Sequence, residues 1–183
     1  MTKNDFIFLT CWSIYMGIIF ILWIIKKDHD KKISDVKIVD VKKNTSITGK
    51  YVLNTTKAGY VKAVVYWCVQ NLGIPSGNKK IPGVLIKYVK HTKYLGTYCS
   101  ANKIIQVYLP GHESLLQLTN TIIHEYDHFL RIRNNKDQMN YNKLLVEIGY
   151  DKHPLEIFAR DTAKTYEVIC FKAMEKEGLL IKK

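Results

Sequence analysis

From Leu115 to Leu130 the chain reads LLQLTNTIIHEYDHFL, and its apolar residues recur at helical spacing. At about 100° per residue, Leu115, Leu118, Ile122, Tyr126 and Phe129 gather on one side with Ile123 and Leu130. His124, His128 and Thr121 fall on the other side, and Glu125 sits at the border. Such a helix needs two kinds of neighbour. Its apolar face must be buried in a core, and the opposite face fits the wall of a cleft.

Residues four apart on a helix stack on one face, so His124 and His128 can offer two imidazoles to a single metal ion. Glu125 projects beside them and can reach a water at the metal without ligating it. This is the spacing of a hydrolytic zinc site: two neutral nitrogen ligands, a carboxylate base, and a third ligand from elsewhere. A surface helix with two idle histidines shows the same spacing. Asp127 falls near Asn120 and Arg131 on the wheel, where it is expected to stay hydrated and pair with Arg131.

The third ligand is sought downstream, in GYDKHPLEIFARDTA at 149–163. Glu156 lies early in an expected helix, 28 residues after His128, and a loop with a short helix in between can bring the chain back. Ala159, one turn on, lets two helices approach closely. His153 is the next candidate ligand, and Asp151 and Asp161 are also near. As a plain helix acid, Glu156 would serve only the helix dipole.

HEYDH followed by PLEIFAR resembles the gluzincin group of zinc metallopeptidases. In that group a helix bearing HExxH precedes a second helix that supplies a glutamate ligand, in small members often as Pro-x-Glu-x-x-Ala. Pro154, Glu156 and Ala159 match that pattern. The resemblance spans about residues 84–170 and implies that His124, His128 and Glu156 hold Zn²⁺ while Glu125 is the general base. It also implies a strand ahead of the active-site helix whose edge can hold an extended peptide substrate, with Ile104–Leu109 as the candidate edge. Several gluzincins carry an aspartate four residues after the glutamate ligand; this chain has Arg160 there, with Asp161 following. Tyr141, Tyr150 and Tyr166 are candidate oxyanion donors. A catalytically inactive, zinc-stabilised binding domain is the alternative function.

The rest of the chain frames this unit. Phe6–Ile25 is twenty residues without a charge, about 30 Å as a helix, which matches a bilayer core. Lys26 and Lys27 stop it without the small residues of a cleavage site, so residues 1–27 are expected to form a permanent single-pass anchor. Lys26, Lys27, Lys31 and Lys32 outnumber Lys3 across the span, which places the body on the cytoplasmic side. Residues 28–50 read as a charged linker with one short strand near Val36–Val41, and 51–183 as the zincin-like domain.

Within the domain, a helix is expected over Tyr60–Leu72, capped by Thr55 or Thr56 and stopped at Gly73. Strands follow at Val84–His91 and Asn102–Leu109, then the histidine helix, then a helix over Pro154–Glu177. The class is therefore α+β with a small mixed sheet. Net charge is +12, yet only three of the 28 basic residues are arginines and the lysines are scattered. That argues for a solvated basic surface, suited to anionic lipid, over specific nucleic-acid reading. The four cysteines have no metal-ribbon spacing, and three remain outside the apolar run, which fits a reducing compartment.

Overall fold

The computed structural model describes residues 51–75, 80–91 and 93–182, together with the backbone of 38–40. The expected span at Phe6–Ile25 lies outside the described residues. Among the described residues no helix is long and apolar enough to cross a membrane.

The domain is α+β. Helix α1 (Lys57–Leu72) begins at Thr56, whose hydroxyl accepts from the Gly59 amide, and ends at Gly73 with φ of 78°. Both ends sit where side-chain capping and a glycine stop place them. Helix α2 (Leu115–Arg131) is the histidine helix, capped by Ser114, whose hydroxyl accepts from the Gln117 amide. Helix α3 (Asn135–Ile148) fills the span back toward the cleft and has no buried residue. Helix α4 (Pro154–Lys176) carries Glu156 in its first turn. It closes with two hydrogen bonds, Gly178 N–H to the Glu175 carbonyl and Leu179 N–H to the Met174 carbonyl, with Gly178 at φ of 73°.

Among the described residues six short strands complete the domain. β1 (Ile38–Asp40), β3 (Gly83–Lys87), β5 (Ile104–Tyr108) and β4 (Gly96–Cys99) lie in that order in one sheet. β1, β3 and β5 are parallel, and β4 pairs antiparallel with β5. β2 (Tyr51–Leu53) and β6 (Leu180–Lys182) form a separate antiparallel pair. The segment read as a linker thus contributes a strand to the main sheet through β1.

Two strand expectations change. The run from Val84 leaves the sheet at Lys87, and the His91 ring takes the amides of Lys93 and Tyr94 to form a turn instead. Ile104–Tyr108 is not an edge, because β3 and β4 pair with it on both sides. The edges among the described strands are β1 and β4, and β4 lies in the segment between the two expected strands.

The core is built from Tyr60, Val64 and Val65 of α1, Ile86, Ile105 and Val107 of the sheet, and Leu118, Ile122 and Tyr126 of α2. The Tyr126 hydroxyl donates to the Gly73 carbonyl at 2.6 Å, pinning the end of α1 to α2. Three polar pairs set α4 against α2: Glu156 with His128, Thr162 with Asp127, and Glu167 with Asn120. As the number rises along α4 it falls along α2, so the two helices run antiparallel. Ala159 and Ala163 lie on the same stripe of α4 as Glu156 and are fully buried. Ala159→Leu should force the helices apart and lower stability by about 1–3 kcal/mol, read as a fall in the denaturation midpoint.

Candidate metal centre

The α2–α4 contact brings three ligand atoms together. His124 Nε2 lies 3.2 Å from His128 Nε2 and 3.2 Å from Glu156 Oε2, and His128 Nε2 lies 3.1 Å from Glu156 Oε1. Ligands at zinc bond lengths of about 2.0–2.1 Å stand about 3.3 Å apart along the edge of a tetrahedron. One ligand atom from each of the three residues lies within 4.8 Å of the other two, and the closest approaches match the spacing that one ion imposes, so this group could hold a metal ion. Glu156 Oε2 is buried and faces His124 Nε2 at 3.2 Å. Left alone it would be costly, and a cation would satisfy it.

The electrostatics agree. Burial pushes the Glu156 carboxyl up, but His124, His128 and the Tyr141 hydroxyl more than offset this and hold it well below the usual carboxylate range. Burial pulls the His128 imidazole down, yet Glu156 and Glu125 carry it above its ordinary value. The site is thus net attractive to positive charge. Glu125 is buried beside the three ligands, and burial raises its carboxyl despite the two imidazoles.

Surrounding residues fix these positions. The Tyr141 hydroxyl, on α3, donates a short hydrogen bond to Glu156 Oε1. His153 is fully buried but stands apart from the ligand cluster and caps α4. Its Nδ1 accepts from the Leu155 amide, which leaves Nε2 as the N–H that donates to the Tyr141 carbonyl at 3.2 Å. His153 therefore fixes the start of the glutamate helix. Asp151 is exposed beside Arg160, and Asp161 is exposed too, so neither joins the cluster.

Asp127 is paired with Arg131 as expected, at 2.6 Å, but it is buried and not hydrated. Helix α4 covers that face, and Thr162 adds a hydrogen bond at 2.9 Å. His128 Nδ1 meets no protein acceptor, in keeping with an arginine at position 160.

The ligands open onto a cleft of about 820 Å³ between β4, α2, α3 and the start of α4. Tyr141 and Tyr150 line it; Tyr166 packs instead against Trp67, with ring centroids 6.1 Å apart. The Tyr98 amide on β4 contributes to the environment of Glu125. His112, which the sequence reading passed over, links the sheet to α2: Nδ1–H donates to the Tyr108 carbonyl and Nε2 accepts from the Thr121 hydroxyl, both at 3.1 Å.

Gly96 allows β4 to lie against α2. A Cβ there would stand 2.7 Å from Thr121 Cγ2, 3.0 Å from Glu125 Cγ and 3.2 Å from the Gln106 carbonyl. Gly96→Ala should therefore cost about 1–3 kcal/mol, measured by denaturant titration, as strand or helix shifts. Compared with protein-family models, with curated proteins and with solved structures, the chain matches none.

Proposed function

We propose that the protein is a membrane-anchored, zinc-dependent metallopeptidase of the gluzincin type, with a zincin-like catalytic domain. The observation that carries this reading is the convergence of His124, His128 and Glu156 at 3.1–3.2 Å with a buried fourth group, Glu125, alongside. Zinc suits two imidazoles and one carboxylate, and when bound it lowers the pKa of a water and polarises a carbonyl.

The chain supplies the rest. Glu125 takes the proton from the attacking water and returns it to the amine nitrogen as the C–N bond breaks and the new C–O bond forms. β4 has no strand on its outer side among the described residues, so an extended peptide can add there by main-chain hydrogen bonds. Tyr141 holds the Glu156 carboxylate, and Tyr150, which also lines the cleft, is a candidate donor for the developing oxyanion. The uncharged run at Phe6–Ile25 supports a single-pass anchor, and the lysines after it place the catalytic domain on the cytoplasmic side.

Metal analysis of the detergent-purified chain at neutral pH is expected to give one zinc per molecule, and His128→Ala should reduce this to a small fraction. A metal-free wild type would end the proposal. Glu125→Gln should keep the zinc while lowering turnover of an unfolded protein substrate by about a thousandfold or more. A zinc-loaded wild type that cuts nothing would leave the inactive binding domain as the better reading.

A further inference from the structure

We propose that the cleft takes its peptide by a carboxylate group, and that Arg160 is the residue that binds it. This rests on the peptidase reading above and names the substrate class of that site. Arg160 follows Glu156 by four residues on α4, so it stands on the same face about 6 Å further along the helix axis. Its side chain lines the cleft. A bound peptide therefore reaches it within about one or two residues of the ligand glutamate.

The guanidinium is held but not neutralised. One Nη2–H donates to the Asp151 carbonyl at 2.8 Å, and the group lies over the Tyr150 ring with Cζ 5.5 Å from the centroid. The Asp151 carboxylate is 3.9 Å from Nη1 and 96% exposed, so water competes for it and the pair is weak. A guanidinium has five N–H donors in a planar fork, and one carbonyl occupies only part of it. Its orientation is thus set by a carbonyl and an aromatic ring while its charge stays available.

The charges lining the cleft point the same way. Its cations are Lys93 and Arg160, and its acids are Glu125 and Glu156. Both acids belong to the metal centre, where a divalent ion would cancel their charge. Among the lining residues beyond that centre are two cations and no acid, and the Asp151 carboxylate beside Arg160 is turned to solvent. The chain as a whole carries +12, so the long-range field has the same sign. The carboxylate can come from an acidic side chain or from the C-terminus of the peptide.

Binding separates these sources without relying on turnover. Zinc-loaded full-length Glu125→Gln protein is titrated with three fluorescein-labelled Ala/Leu hexapeptides and followed by anisotropy at low salt. One is neutral and amidated, one is amidated with an internal glutamate, and one is neutral with a free C-terminal carboxylate. At least one carboxylate peptide should bind about tenfold or more tighter than the neutral amide, and which one does so identifies the source. Adding Arg160→Gln should bring it down to the neutral level, whereas Arg160→Lys should keep part of the preference through charge alone.

Arg160 is 40% exposed, so these substitutions should leave the fold and the zinc content intact. Equal binding of all three peptides, or a preference that survives Arg160→Gln, overturns the proposal. A preference that Arg160→Gln removes supports the carboxylate site, even if the wild type cuts no peptide; that second result would remove the peptidase reading alone.

Discussion

The antiparallel packing of α2 on α4 is the constraint on which the site depends. It places a buried carboxylate, Glu156, against two imidazoles that belong to a different helix. Two further polar pairs, Asp127 with Thr162 and Asn120 with Glu167, fix the register along the same seam. The two buried alanines give these side chains room to meet, because small residues let helix axes come close. A one-turn slip would move Glu156 by about 5.4 Å and leave three polar groups without partners.

The same seam concentrates charge. Glu125, Asp127 and Glu156 are all buried within a few turns of one another. Asp127 is answered by Arg131 and Thr162, and Glu156 by two histidines and a tyrosine. Glu125 has the imidazoles of the cluster and the Tyr98 amide, and burial still raises its carboxyl. Buried acids persist only when paired, and here the arrangement leaves a place of negative potential that a divalent ion fits. α3 closes the cleft lightly: Gln138, Tyr141 and Leu145 line it, and no residue of that helix is buried.

Much of the site was legible because the signals are local. The pair His124 and His128 depends only on helical period, and Pro154 announces the helix that carries Glu156. Thr56, Gly73 and Gly178 mark helix ends through capping and left-handed backbone, which need no distant partner. β4 was not legible. Gly-Thr-Tyr-Cys is only four residues long and opens on a glycine, too short for an alternating pattern to show, and its pairing with Ile104–Val107 creates the strand. Gly96 then gains its meaning from Thr121 and Glu125, residues that only folding brings near.

The sequence by itself determined the helices, the α+β class, the stacking of the two histidines and the candidacy of Glu156, since period and capping act within a turn or two. Tertiary structure decided which face of α2 was covered, and so turned Asp127 from an expected surface acid into a buried one. It made His153 a cap and not a ligand, and it put β5 inside the sheet with β4 at the edge beside it. Those outcomes depend on contacts between residues far apart in the chain. Their energies come from desolvation and pairing across elements, which no local pattern encodes.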